Sequence, residues 1–226
     1  MIFNENFLFI HIGKTGGMSC SEYLLNNLAP TVYNCHADAL KEVVPFDPAS
    51  VKPLTGIGRH CTLAEALAFI EQQNGKTLDD FDKVVAVVRN PYAIEYSYYQ
   101  HLRKPHIAER RRRRSPQLVE LAEGEFSKFV EFAGYHRDGV SQNDFFQLEG
   151  QTPDKVELIK FEELTQTLPV AIAPFKKTGL EHPFPHRNKS KYNTALHDLL
   201  TPAVEELIYQ KHQYMFDSGI YTRHSL

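Results

Sequence analysis

The residues of this chain best suited to chemistry stand in two places. The first is Gly13-Lys14-Thr15-Gly16-Gly17, set between an apolar run, Phe7-Leu8-Phe9-Ile10-His11-Ile12, and an amphipathic run from Ser19 to Leu28. This order predicts strand, glycine loop and helix. Glycines let successive backbone N–H groups converge on an anion, and a helix N-terminus adds partial positive charge at the same point. Lys14 supplies a full charge, and Thr15 and Ser19 supply hydroxyls. The spacing is not that of a Walker A loop, in which lysine follows the second glycine; here Lys14 precedes Gly16 and Gly17. The second place is Val87-Val88-Arg89-Asn90-Pro91, with Ser97-Tyr98-Tyr99 downstream. An arginine at a strand end with a hydroxyl two helical turns later suits a terminal phosphate, because the guanidinium fork matches phosphate oxygens. A basic, serine-bearing stretch, Arg187-Asn188-Lys189-Ser190, precedes the last helical segment.

The segment His11-Ile12-Gly13-Lys14-Thr15-Gly16-Gly17-Met18-Ser19 closely resembles the 5′-phosphosulfate-binding loop of sulfotransferases that use 3′-phosphoadenosine 5′-phosphosulfate (PAPS), in particular their carbohydrate-type and bacterial branch. Val87 to Pro91 with Ser97 resembles that family's 3′-phosphate-binding segment, in the expected order, and Arg187 to Ser190 resembles the loop that closes over the donor phosphates. The three matches span His11 to Ser190; the connecting regions match nothing clearly. The resemblance implies PAPS as sulfuryl donor, 3′,5′-ADP as product and no metal. It assigns donor binding to Gly13, Lys14, Thr15, Gly16, Gly17, Met18, Ser19, Arg89, Ser97 and Arg187 to Ser190, with Lys14 at the leaving phosphate. The branch places a catalytic histidine between a strand and a helix, and His60 is the candidate there, followed by Glu22, His36 and His101. Arg59 is a candidate for orienting an acceptor or a sulfonate oxygen. The acceptor would be a hydroxyl on a glycan or glycolipid. Two other readings stay open: a P-loop nucleotide kinase, and a non-catalytic polyanion-binding module.

The elements that must position these groups are legible from periodicity. Phe7 to Ile10 and Lys83 to Val88 read as buried strands, the second apolar on both faces as in a central parallel strand. Further strands are expected at Thr31 to Cys35, Leu54 to Gly58 and Val156 to Phe161. Thr62 and Glu65 have capping-box spacing, predicting a helix from Cys61 or Thr62. Pro91 suits the first turn of a helix carrying Ile94 to Leu102, and Thr201-Pro202 starts one through about Tyr214. Strands alternating with helices predict an α/β fold, a single P-loop-like domain over residues 1–226 with a central parallel sheet flanked by helices on both faces. Arg110 to Arg114, with Arg103, Lys104 and His106, is expected to form a basic loop around 103–116, solvated or contacting an anionic partner.

Composition narrows the class. The chain has 226 residues, 42% hydrophobic, 23% charged, with a net charge of −3. That is an ordinary globular protein with no global excess of positive charge, and no nucleic-acid partner is expected. Cys20, Cys35 and Cys61 lack metal-ligand spacing, which predicts free thiols in a reducing, cytoplasmic setting. The N-terminal segment has no basic flank before its short apolar run, and no stretch is long enough to span a bilayer.

Overall fold

Valine and phenylalanine runs with alternate residues facing opposite ways form strands that bury both faces, and this chain builds its sheet from them. The computed structural model describes residues 1–40, 42–134, 140–179, 181–185 and 196–223. In chain order the elements are β1 (Ile2–Phe3), β2 (Phe7–Ile10), α1 (Gly17–Asn27), β3 (Val32–Asn34), α2 (Ala37–Leu40), β4 (Val51–Pro53), α3 (Leu63–Asn74), β5 (Lys83–Val88), α4 (Pro91–Leu102), α5 (Pro105–Arg112), α6 (Pro116–Glu123), α7 (Phe126–Phe132), β6 (Val156–Lys160), α8 (Leu164–Ala171), α9 (Pro202–Lys211) and α10 (Gln213–Asp217), with short 3-10 turns between them. They fall into two compact units, Met1–Val88 with Asp144–Lys189, and Arg89–Asn143 with Ser190–Leu226.

The first unit holds the six-stranded sheet, ordered β4-β3-β1-β2-β5-β6. β2, β5 and β6 are parallel neighbours, as are β3 and β4, while β1 runs antiparallel between β2 and β3. The fold is therefore α/β with a mixed, mostly parallel sheet. Phe7, Phe9, Val85, Val87 and Ile159 pack with Tyr23, Leu24, Leu164 and Leu168 of α1 and α8 in one core. Leu8, Ile10, Val84, Ala86 and Val88 face the other way and are equally buried, so both faces of the sheet are covered.

Local chemistry explains most boundaries. Thr62 and Glu65 form the reciprocal capping box that starts α3, and Gly75 at φ 69° ends it. Asn90 caps α4 by accepting from the Tyr92 and Ala93 N–H groups, with Pro91 at the first helical position. Two expectations need correction. The strand expected over Leu54 to Gly58 lies earlier, at β4, because Val51 to Pro53 pair with β3 and Gly56 at φ 91° breaks the extended run. Pro53 is tolerated there because β4 is an edge strand. The arginine run is not a loop either: Arg110 to Arg112 form the last turn of α5, begun by Pro105 and anchored by buried Ile107 and Ala108. Arginine is a good helix former, and positive charge is favoured at a helix C-terminus.

In the second unit, α4 packs aromatic rings against α7 and α10, with Tyr99 to Phe129 at 5.2 Å and Tyr92 to Phe216 at 5.5 Å between centroids. Glu95, fully buried on α4, accepts from Lys211 Nζ at 3.1 Å and contacts His212 Nε2 at 2.8 Å. That anchoring holds His212 where the helix from Thr201 breaks, so α9 stops at Lys211 and α10 resumes at Gln213.

Candidate functional site

The loop between β2 and α1 has the geometry its glycines require. Gly16, the N-cap of α1, lies at φ 78°, and Lys14 also lies in the left-handed region, at φ 63°. A left-handed conformation at a non-glycine residue costs energy and marks places where the backbone is held for a purpose. Thr15 is buried and donates its hydroxyl to the Ile12 carbonyl at 2.8 Å, closing the turn from inside. Its side chain is thus committed to holding the loop. Gly16 admits Phe161 from the end of β6, since a Cβ there would lie 2.9 Å from that ring. Gly16 has no side chain with which to cap α1, and the first turn has no acidic residue. The first-turn N–H groups of a helix have no intrahelical acceptor, so this end suits an anion. Gly13 and Ser19 are buried beside the loop, and Lys14 and Met18 are half-buried.

A histidine and arginine cluster adjoins it. His11, 8% exposed, packs its ring on Gly17: a Cβ at Gly17 would lie 1.4 Å from His11 Nε2. The third glycine-loop requirement is thus a side-chain one. The rings of His11 and His60 are 4.6 Å apart between centroids. His60 Nδ1 is 3.0 Å from the His11 carbonyl, and Arg59 Nε donates to His60 Nε2 at 2.9 Å. A carbonyl only accepts and a guanidinium only donates, so these two bonds define a neutral imidazole protonated on Nδ1 with its lone pair on Nε2. Arg59 Nη1 also lies 3.2 Å from His36 Nε2. Burial first, then Arg59 and the terminal amine, hold His36 below its ordinary pKa. Cys61 follows His60, and burial raises its thiol pKa; Cys20 is pushed up to about 12 by burial. Both are free, protonated thiols and poor nucleophiles.

β2 and β5 are parallel neighbours with Ile10 opposite Ala86, so both end at the same edge of the sheet, the edge at which open α/β sheets bind ligands. Arg89 follows β5 directly. In the second unit, the fully buried Gln142 amide grips its backbone: Gln142 Oε1 accepts from Arg89 N–H and Gln142 Nε2 donates to the Arg89 carbonyl, each at 2.9 Å. Ser97, 3% exposed, lies in the second turn of α4. Sequence reading missed Gln142, which is 53 positions from Arg89 with no motif around it, and gave His11 no role although it lies inside the loop motif. Of the alternative bases, His36 joins the cluster through Arg59, Glu22 is half-buried on α1, and His101 belongs to α4 in the other unit. Arg187, Asn188, Lys189 and Ser190 lie outside the described residues. Among the described residues no group of three or more His, Cys, Asp or Glu could hold a metal ion. No described helix is long and apolar enough to cross a membrane.

No protein-family model matches the chain, and no curated protein sequence does. Among solved structures the chain is similar to a sulfotransferase from Alicyclobacillus acidocaldarius, at 14% identity over 92% of this chain and 91% of that one, with a TM-score of 0.38.

Proposed function

We propose that this protein transfers a sulfuryl group from PAPS to a hydroxyl on a carbohydrate. The observation that carries the reading is the glycine loop after β2 that opens α1 on Gly16, with Lys14 held at positive φ in it, followed in the chain by an arginine clamped at the end of β5. The loop and the first N–H groups of α1 take the 5′-phosphosulfate, and Arg89 with Ser97 takes the 3′-phosphate. Arg187 to Ser190 are assigned to the donor phosphates on sequence grounds alone.

In the transfer the acceptor oxygen bonds to sulfur as the bond from sulfur to the bridging 5′-phosphate oxygen breaks. The electron pair leaves on that oxygen, giving 3′,5′-ADP and a sulfate ester, and the acceptor proton passes to a base. Lys14 offsets the charge that grows on the departing oxygen, and such preorganised donors are typically worth about 3 kcal/mol in the transition state. His60 is the base. Its Nδ1–H bond to the His11 carbonyl fixes the ring with the lone pair on Nε2, and the exposed Arg59 side chain must release that nitrogen before it accepts a proton. The same guanidinium is then available to an acceptor or sulfonate oxygen.

A nucleotide kinase would share the strand, loop and helix but needs a lysine after the second glycine, which this loop lacks. Thermal shift separates the two: 3′,5′-ADP without metal stabilises a sulfotransferase, and ATP with Mg²⁺ stabilises a kinase. Radiolabelled PAPS offered with a panel of hydroxyl acceptors then identifies the acceptor class; label transfer only to phenols or peptide tyrosine would overturn the carbohydrate assignment.

A further inference from the structure

The donor chemistry leaves unused the run Arg110 to Arg114. Arg103, at its edge, is committed to structure: its guanidinium donates to Tyr99 Oη at 2.6 Å and to the Ala122 carbonyl at 3.1 Å, and stacks 4.9 Å from the Tyr99 ring. Arg112 pairs with Glu123 at 2.5 Å. The side chains of Arg110, Arg111, Arg113 and Arg114 make no hydrogen bond or ion pair with any described residue; three are exposed and Arg111 is half-buried. Residues three and four apart on a helix are neighbours, so these charges repel one another in the folded protein. They do so in a chain whose net charge is −3.

We propose that the C-terminal end of α5 is a docking surface for a carbohydrate chain bearing carboxylate or sulfate groups along its length, the acceptor or the polymer that carries it. This rests on the carbohydrate reading above and names the acceptor's charge. An anionic chain relieves the repulsion, and arginine's planar fork binds carboxylate and sulfate oxygens in pairs, which lysine does not. A single-stranded nucleic acid is disfavoured because surfaces for single strands interleave basic residues with aromatic rings for base stacking, and the only aromatic side chain from 103 to 114 is His106. An anionic membrane is disfavoured because interfacial helices expose an apolar face, and the apolar residues of α5, Ile107 and Ala108, are buried.

The test is binding without donor, by calorimetry, of a heparin-derived octasaccharide and an oligogalacturonate, against a neutral maltooligosaccharide, duplex DNA and phosphatidylglycerol vesicles. The substitutions R110Q, R111Q, R113Q and R114Q are combined in one variant, whose melting temperature and 3′,5′-ADP affinity are measured alongside. The expected result is binding of both anionic glycans and not the neutral one, weakened about tenfold or more in the variant, with a shallower salt dependence as fewer counterions are displaced. Melting temperature does not fall, since the repulsion is relieved, and 3′,5′-ADP affinity stays unchanged. Wild-type affinity in the variant, absence of glycan binding, or tighter binding of DNA or vesicles than of glycans overturns the proposal. If glycans bind through these arginines while 3′,5′-ADP does not bind the wild type, the docking surface stands and the sulfuryl-transfer reading falls.

Discussion

Gly17→Ala tests how the glycine loop is built. The added Cβ would lie 1.4 Å from His11 Nε2 and 2.2 and 2.3 Å from two ring carbons. Ordinary carbon contacts begin at about 3.5 Å, so the ring must retreat by roughly 2 Å. His11 is 8% exposed and wedged beside the His60 ring, so the retreat disturbs packed surroundings. Overpacking of this kind costs about 1–3 kcal/mol. Against it, alanine for glycine favours a helix by up to about 1 kcal/mol, and less at the first helical position, which Gly17 occupies. The clash wins. At about 2–4 °C per kcal/mol for a chain of this size, the melting temperature should fall by roughly 2–8 °C. A double-mutant cycle isolates the cause: in a His11→Ala background the clash is gone, and Gly17→Ala should become neutral or slightly stabilising. Urea unfolding of the four proteins measures this, with a coupling of about 1 kcal/mol or more expected. Additive effects, with Gly17→Ala costing the same in both backgrounds, would refute the claim that His11 dictates glycine at position 17.

Three further outcomes follow from the same geometry. Lys14→Ala should lower kcat by roughly 10²- to 10³-fold with a smaller loss of donor affinity, measured by single-turnover sulfuryl transfer; near-normal kcat removes Lys14 from the chemistry. His60→Ala should lower kcat by roughly 10²- to 10⁴-fold while 3′,5′-ADP affinity holds, and a folded variant with rate-limiting chemistry at the wild-type rate would move the base to His36. Acid should destabilise the fold in two stages. His36 has a depressed pKa, so the stability tied to its neutral form is full above about pH 6.5 and is lost as pH falls below that. Burial alone would raise the Glu95 carboxyl, but Lys211 and His212 outweigh it and hold the pKa below the ordinary 4.5. Its contribution is present above that pH and is lost as the carboxyl protonates below it, so Glu95→Gln should flatten the lower limb of a stability profile recorded by urea unfolding.

What the sequence made legible was whatever local chemistry dictates. Lys83 to Val88, the Thr62 and Glu65 capping box and Pro91 in the first turn of α4 each carry their signal within a few residues, and the structure has them at those positions. β1 escaped because a two-residue strand has no period, and its antiparallel place between β2 and β3 is set by pairing alone. The α5 turn of arginines looked like a solvated loop because charge hides helix propensity, and the anchoring by Ile107 and Ala108 is tertiary. At the candidate site, the loop motif made legible a glycine turn between β2 and α1, whereas the Gln142 clamp on Arg89 and the guanidinium shared by His36 and His60 join residues far apart in sequence. Contacts of that kind have no one-dimensional signature.

Calorimetry of 3′,5′-ADP and 5′-AMP, without metal, on the wild type and on Arg89→Ala tests the donor assignment at its centre. The two nucleotides differ only in the 3′-phosphate. A charge-assisted hydrogen-bonded contact is worth about 1.5–3 kcal/mol, so Arg89→Ala should weaken 3′,5′-ADP by about 10- to 150-fold and 5′-AMP by less than about threefold. Gln142→Ala, which releases the Arg89 backbone, should reproduce part of the same selective loss. Equal losses for both nucleotides, or a wild-type protein that binds ATP with Mg²⁺ and ignores 3′,5′-ADP, would contradict the account.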